Sequence, residues 1–377
     1  MTDIPVITEK PFEVIDFEER FFKQVLVGRK QLDMEEEEDI DEESFKLDIE
    51  REAVMARMAK QRKAKEVFEA ITGSFYKTFN HEVGIQFSRP SLVFEHIDVK
   101  QIQLELLFLV SKENLEFKKI RPLVEQVDWL VEDFTKLVNS PSYRSRRDDA
   151  NDVKITGTQL VLSFIGIESL ASILPFYVFQ HWFPHNQNSL ARSSRKLWRY
   201  CLVAAIAAGA LAKLHNLNER YFYICGLVNQ LGMLAVLRNC ASVYDHLWGN
   251  WLRESIGYKD KEIYDSVLAT SFPTADIYHN VDEKAGDLTW KLLEQVGFGT
   301  NPITQTLKEF SSANCVEEYS DEGKIIAKAL CYAKVYILEE TKQIDLKEKR
   351  MLFEYYGISE QEDLRLQGQN FHQFDLL

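Results

Sequence analysis

Two neighbouring apolar segments near the middle of the chain constrain its fold more than any other feature. Residues 194–214 carry closely spaced small residues, among them Ala205, Ala208 and Gly209. Small side chains let two helix backbones approach closely, so this segment is predicted to be a central helix of a bundle. Residues 219–237, ERYFYICGLVNQLGMLAVL, show helical periodicity and are predicted to form the other central helix.

Helical periodicity recurs along all 377 residues, whereas β-branched alternation is scarce and only 16 Gly and 9 Pro punctuate the chain. The fold is therefore predicted to be all-α, a multi-helix bundle with an N-terminal helical extension. Four parts are expected. Residues 1–48 form a mixed acidic extension that is partly disordered, 49–84 a charged helix, 85–345 the main helical domain, and 346–377 a C-terminal tail.

Helix-breaking glycine and proline residues predict where a helix is interrupted and where it ends. Residues 158–174 are predicted to form a helix that is interrupted at Gly166 and stopped at Pro175. The tail beyond about Glu360 is polar and is predicted to be loose, although its apolar side chains could dock on the core; they are Phe371, Phe374, Leu376 and Leu377.

The N-terminal extension combines apolar side chains with a dense acidic run. Nine carboxylates lie between Asp33 and Glu43, and a run of that density is usually solvated or disordered. An alternative is a tail that engages a basic partner. Its apolar side chains could dock on the core; they are Phe12, Val14, Ile15, Phe17, Phe21 and Phe22.

The helix predicted after the acidic run has a basic stripe in its middle. A solvated helix face is the default interpretation, and a charge contact with the acidic run, within one chain or between two copies, is the alternative. The cations of the stripe are Arg57, Lys60, Arg62, Lys63 and Lys65.

Composition narrows the environment and the class of partner. The net charge of −14 and the pI of about 5.2 argue against nucleic acid and against an anionic membrane surface. Five scattered cysteines without a CxxC pair predict buried free thiols in a reducing cytoplasm rather than a zinc site. The most apolar run, Cys201–Ala212, has 12 residues, and a bilayer span needs about 20, so no membrane span is predicted.

Three short motifs follow one another between residues 117 and 337. They are LVNSPSY at 137–143, LSFIGIESL at 162–170, and LWRYC at 197–201 followed by CGLVNQLG at 225–232. Together they resemble the signature of the HDOD family, the HD-related output domains of bacterial signalling proteins. The resemblance implies an HD-like bundle, and the residues that carry it are Asn139, Ser140, Gly166, Trp198, Gly226 and Gly232.

The resemblance also marks where the HD superfamily holds a divalent metal. Its ligands are a His on one central helix, an adjacent His-Asp pair on the next, and an Asp on a late helix. In this chain those positions fall at Tyr200, at Asn229 and Gln230, and near Lys334. A phenol, two amides and an ammonium do not form a divalent-metal site, and the Lys334 charge opposes a cation. We therefore expect no metal, no other cofactor and no catalytic residue.

Two interpretations of these four positions remain open. The uncharged three could satisfy one another by hydrogen bonds in a remodelled core. Alternatively, all four could line a polar pocket that binds a small anionic ligand.

The resulting hypothesis is a non-catalytic, cytoplasmic regulatory module of bacterial signal transduction that binds partner proteins, with a homo-oligomer as a further candidate. One alternative is a metal-dependent phosphohydrolase or phosphodiesterase whose ligands lie elsewhere. Another is a small-ligand sensor that uses the pocket. Close packing at Gly226 further predicts that a leucine there destabilises the fold strongly.

Overall fold

The computed structural model describes residues 10–26, 48–144, 154–183 and 191–372, apart from positions 96, 98, 259 and 314. The acidic run Asp33–Glu43 lies outside the described residues. The described residues form α-helices and one short 3₁₀ turn and contain no strand, which confirms the all-α prediction. The first helices are α1 Phe12–Leu26, α2 Asp48–Phe87, α3 Pro90–Glu95, α4 Gln101–Val110, α5 Phe117–Val124, α6 Asp128–Asn139, α7 Pro141–Arg144, α8 Thr158–Ile165 and α9 Ile167–Trp182. The others are α10 Ala191–Leu214, α11 Glu219–Val228, α12 Leu231–Gly257, α13 Lys261–Ala269, α14 Thr274–Gln295, α15 Pro302–Ser312, α16 Asp321–Glu340, α17 Leu346–Tyr355 and α18 Glu360–Gln367.

The centre of the bundle is built on α10, as its small side chains predicted. This helix packs against both α11 and α16, and the side chains of Ala205 and Ala208 are completely buried. A Cβ added to Gly226 would lie 2.8 Å from the Cα of Ala205 and 3.3 Å from the Cβ of Ala208. Gly226 therefore lies at a close helix contact, because any larger side chain would meet the α10 backbone.

Helix α12 makes an even closer contact with α14. A Cβ added to Gly232 would lie 1.7 Å from the carbonyl oxygen of Ala285. The backbone N–H of Gly232 donates a 2.9 Å hydrogen bond to the Oγ1 of Thr289 on α14. The two backbones touch here, and only glycine fits.

The prediction of a single helix over residues 219–237 is wrong at Asn229 and Gln230, where α11 ends and α12 begins after a two-residue turn. The Thr289 hydroxyl accepts the N–H of Gly232, which a continuous helix would give to the carbonyl of Val228. A side chain inserted into the helical hydrogen-bond ladder is a common cause of such a break. Residues 229 and 230 of the turn line a pocket together with residues of α16.

The prediction for residues 158–174 is right about Gly166 and wrong about Pro175. Gly166 has a φ of 77° and separates α8 from α9, whose axes differ by 107°. Pro175 lies inside α9, which continues to Trp182. A proline deprives a helix of one backbone hydrogen bond, and here the completely buried side chains of Leu174 and Val178 on either side of it hold the helix in place.

The chain from Glu360 to His372 is folded, contrary to the prediction of a loose tail, whereas Phe374, Leu376 and Leu377 lie outside the described residues. Helix α18 packs on α10, and Leu366 and Phe371 are buried. Glu362 is 2% exposed, and its carboxylate accepts hydrogen bonds from Lys328 at 2.8 and 2.9 Å. A short polar segment becomes ordered because a few of its side chains reach buried partners that sequence periodicity does not reveal.

Two stretches are long and apolar enough to cross a membrane when judged by length and composition alone. They are Arg195–Leu214 in α10 and Glu219–Gly257, which joins α11 and α12; the bent pair α8 and α9 would be a third if counted as one span. Both exceed the uninterrupted 12-residue run seen in the sequence. In the fold, 72% and 89% of their apolar windows are buried. The protein core accounts for this apolar character, and the lack of a membrane span stays a prediction.

Candidate functional site

The structure brings the four positions that the resemblance marked to one place. Asn229, Gln230 and Lys334 line a partly open pocket of about 210 Å³ between α11–α12, α14 and α16. Tyr200 is 3% exposed and does not line the pocket itself, but its ring contacts that of Phe22, which does. Burial raises the pKa of Tyr200 well above the usual value, and the neighbouring Cys201, Glu18 and Cys331 raise it further.

A carboxylate that sequence reasoning did not select occupies the middle of the site. Glu18, on α1, is 7% exposed and forms an ion pair with Lys334 of α16, which is 8% exposed. Lys10 forms a second ion pair with the same carboxylate, and the Tyr356 hydroxyl donates a 3.2 Å hydrogen bond to its Oε1. Three donors from different parts of the chain thus converge on one buried anion.

The electrostatics of Glu18 follow from this surrounding. Burial raises the pKa of its carboxyl, but the neighbouring Lys334 and Lys10 ammoniums and their hydrogen bonds outweigh burial and lower the pKa from 4.5 to about 2. Glu18 is therefore charged at neutral pH. The same contact gives the buried Lys334 a counterion.

Aromatic rings of α1 hold Glu18 in position. Phe21 and Phe22 lie against Tyr200, with ring centroids 5.1 and 6.2 Å apart, and Phe22 also contacts Tyr278. The Lys334 ammonium lies 5.5 Å from the centroid of the Phe22 ring. The predicted docking of the N-terminal apolar residues is confirmed for the buried ones, Val14, Phe17, Phe21 and Phe22. It is wrong for Phe12, at 77% exposed, and Ile15, at 44%.

The expected mutual hydrogen bonding of the uncharged residues leaves out the amide nitrogen of Gln230. Gln230 is 4% exposed, and its Nε2 has no hydrogen-bond partner among the described residues. Asn229 is half-buried in the turn, where its backbone carbonyl lies 3.3 Å from the Thr289 hydroxyl. A buried donor is thus left over on the wall of the pocket, and such a group usually has a partner.

The side chains present do not fit a divalent metal. Of the four marked positions none provides a carboxylate, imidazole or thiolate, and Lys334 provides a positive charge. Glu18 is a potential ligand, but its carboxylate already binds two ammoniums and a hydroxyl. Among the described residues, no group of three or more His, Cys, Asp or Glu side chains is placed to hold a metal ion.

Asn139 and Ser140 organise the end of α6. The Asn139 side chain donates to the carbonyls of Thr135 and Ile155, at 2.7 and 2.8 Å, and accepts from the Ile155 N–H and the Arg144 guanidinium, at 2.9 and 2.8 Å. The Ser140 hydroxyl bonds the last turn of the helix. These two residues therefore join the end of α6 to the chain that returns at Ile155.

Trp198 has a packing role on α10. Its ring contacts Phe176, Phe179 and Phe183, with centroids 5.0, 5.7 and 5.8 Å away. All five cysteines are free and buried, as expected. Burial raises the pKa of the Cys331 thiol, which lines the pocket, so that it stays protonated at neutral pH.

Sequence reasoning missed Glu18, although a signal for it exists. Val14, Phe17, Phe21 and Phe22 repeat at helical spacing, and Glu18 lies on the same face of that helix, one turn after Val14. A carboxylate on the buried face of an amphipathic helix predicts a buried cation as its partner. Lys334, a cation within the otherwise apolar run of residues 329–338, is the matching signal.

Comparison with known proteins agrees with the resemblance seen in the motifs. The model of the HDOD domain family matches residues 98–271, which include Tyr200, Asn229 and Gln230 and exclude Lys334. No curated protein matches the chain. A similar solved structure comes from Shewanella amazonensis SB2B and is provisionally described as a metal-dependent phosphohydrolase. It is 13% identical, covers 78% of this chain and 96% of its own, and superposes with a TM-score of 0.44. Residues 98–271 of this chain form an HDOD domain, as its motifs predicted.

Proposed function

We propose that this protein is a non-catalytic regulatory module that acts by binding other proteins in a cytoplasmic signalling pathway of a bacterium. The observation that carries the proposal is the ion pair between Glu18 and Lys334. Its carboxylate and ammonium belong to the same chain and lie at the place that the resemblance assigns to the metal of the HD superfamily. A site of this kind stabilises the fold and offers no Lewis acid to a phosphate ester.

The surface of α2 supports binding to a protein. The side chains from residue 55 to residue 63 are all exposed, and Met55 and Met58 are each 49% exposed. Exposed methionines beside cations are typical of adaptable protein-binding surfaces, because methionine is flexible and polarisable. The net charge of −14 continues to argue against a nucleic-acid partner.

Metal analysis of the full chain tests the non-catalytic part of the proposal. The protein is purified without chelators, and manganese, iron, nickel and zinc are measured by elemental mass spectrometry. We expect less than a tenth of an equivalent of each metal, and no hydrolysis of phosphomonoesters or phosphodiesters when each metal is added. A stoichiometric metal with metal-dependent turnover would overturn the proposal in favour of a phosphohydrolase.

Reconstitution with purified components tests the binding part. Proteins captured by the full chain from its native cell are identified, purified and titrated against the wild type and against a double variant, Met55→Glu with Met58→Glu. We expect at least one partner that binds the wild type with micromolar or tighter affinity and binds the variant at least tenfold more weakly. If no captured protein binds once purified, protein binding is refuted as the mode of action.

A further inference from the structure

The surroundings of Glu18 have the composition of an anion-binding site. Its carboxylate is buried, and the Lys334 ammonium and the Tyr356 hydroxyl reach it from the domain, while Lys10 reaches it from the residues before α1. Charge-assisted hydrogen bonds of this kind are the contacts with which proteins bind carboxylates and phosphates. The anion in this site is supplied by the chain itself.

A second observation points to a ligand other than Glu18. The Nε2 of Gln230 lines the same pocket, is buried, and has no hydrogen-bond partner among the described residues. Glu18 does not reach it. An anion larger than one carboxyl group, with three or more acceptor oxygens, could accept from Gln230 as well as from Lys334 and Tyr356.

The pocket has room for such a ligand. Its volume of about 210 Å³ is available with Glu18 in place and grows when the α1 side chains leave. Asp282 on its rim is the other acidic side chain of the lining, and it is exposed, so that water screens its charge. The positive charge of Lys334 is buried and therefore dominates inside the pocket.

We propose that this pocket is a binding site for a small phosphate or carboxylate compound, which enters in exchange for Glu18 and thereby releases α1 from the domain. The proposal deepens the regulatory function proposed above and rests on it. Ligand and α1 compete for Lys334, so the ligand concentration sets the fraction of molecules with α1 detached. The buried aromatic face of α1, with Phe17, Phe21 and Phe22, becomes available to a partner only in the ligand-bound state.

The exchange has a direct test in a pair of neighbouring glutamate variants. Glu18→Gln removes the charge that the ligand must displace, and Glu19→Gln removes an equal charge on the outer face of the same helix, where Glu19 pairs with the exposed Lys23. Melting temperatures of the full-length wild type and both variants are measured with sodium phosphate and with sodium acetate at constant ionic strength.

The expected result is a stabilisation that grows with phosphate concentration in Glu18→Gln. A rise of several degrees by 10 mM phosphate corresponds to at least tenfold tighter binding than in the wild type or Glu19→Gln. Phosphate acting more strongly than acetate identifies a phosphate compound as the ligand class, and the reverse order identifies a carboxylate. Equal responses of Glu18→Gln and Glu19→Gln would overturn the site.

Hydrogen exchange of the wild type keeps the proposal testable if Glu18→Gln does not fold. Deuterium uptake of the peptide that covers α1 is followed with and without 50 mM phosphate, beside the peptide that covers α18 as a control. We expect at least fivefold faster exchange in α1 with phosphate and no change in α18. Unchanged protection of α1 at saturating anion would overturn the release of α1, and it would leave the tests of the regulatory function by metal analysis and reconstitution unaffected.

Discussion

The contact between α12 and α14 and the pocket beneath α1 share residue Ala285 but are held together in opposite ways. On one side, the Ala285 carbonyl lies so close to Gly232 that no atom can be added. On the other side, Ala285 lines a pocket of about 210 Å³, and the lining also includes the buried carboxylate of Glu18 and the buried ammonium of Lys334. The first region depends on volume and the second on charge balance, and each therefore responds to a different substitution.

This difference indicates which helices can move relative to the rest of the protein and which cannot. The contact between the backbones of α12 and α14 cannot change its geometry easily, because protein interiors are close-packed and resist deformation. The ion pair between α1 and the domain joins two charges, and in such a pair water or another ion can take the place of either partner at a cost in free energy. Regulation is accordingly expected at α1 rather than at α10, α11, α12 or α14.

The largest effect is expected for Gly232→Ala. The new Cβ would overlap the Ala285 carbonyl, so α12 and α14 must separate, and the free energy of unfolding should fall by at least about 3 kcal/mol. Urea denaturation followed by circular dichroism measures it. Gly249→Ala on the same helix is the matched control: nothing lies within 4 Å of its added Cβ, and stability should stay equal or rise by up to about 1 kcal/mol. Equal stability of the two variants would refute the backbone contact.

The next effect concerns charge balance. Glu18→Gln leaves the buried Lys334 without its counterion, whereas Lys334→Met leaves Glu18 with Lys10 as its remaining cation. The free energy of unfolding should fall by about 3 kcal/mol in Glu18→Gln and by less in Lys334→Met. The double variant should lose clearly less than the sum of the two, because no unpaired buried charge remains. Glu19→Gln, on the solvent side of α1, should have the same stability as the wild type. Additive losses in the double variant would mean that the pair does not act as a pair.

Gly226→Ala tests the second glycine contact and should have a smaller effect. The added Cβ would lie 2.8 Å from the Ala205 Cα, a clash that a small shift of α11 relieves. We expect a loss of about 2 kcal/mol, and a larger loss for Gly226→Leu. The control is Gly73→Ala on α2, where the added Cβ meets nothing within 4 Å. A Gly226→Leu variant with the same melting temperature as the wild type would show that α10 and α11 are not in close contact at Gly226.

The smallest effect is the response to acid. The pKa of Glu18 is about 2 in the folded protein against 4.5 in the unfolded chain, so its contribution is complete above pH 4.5 and is lost as pH falls towards 2. Between pH 7 and pH 3 the wild type should lose roughly 2 kcal/mol more than Glu18→Gln. Denaturation curves of both proteins at the two pH values measure the difference. If both proteins lose the same free energy of unfolding between the two pH values, the acid-sensitive group is not Glu18.

Much of the fold could be predicted because it depends on local composition. The run of small residues in α10 predicted the centre of the bundle, and the motifs at residues 137–143 and 225–232 predicted the HDOD domain that the family model matches at residues 98–271. Errors arose where a distant side chain decides local structure: the Thr289 hydroxyl ends α11, and buried partners order α18. The candidate site was predicted at Tyr200, Asn229, Gln230 and Lys334, yet the residue that completes it is more than 300 positions from Lys334 in sequence.

The sequence by itself determined the all-α class and the match of residues 98–271 to the HDOD family model, because residue identity and helical spacing are local properties. It also predicted a phenol, two amides and an ammonium at the positions that the resemblance assigns to metal ligands. Only the tertiary structure decided that Glu18 neutralises Lys334 and that α1 covers the pocket. The pairing of two buried charges depends on their distance in space and on the exclusion of water, and neither can be read from the order of residues along the chain.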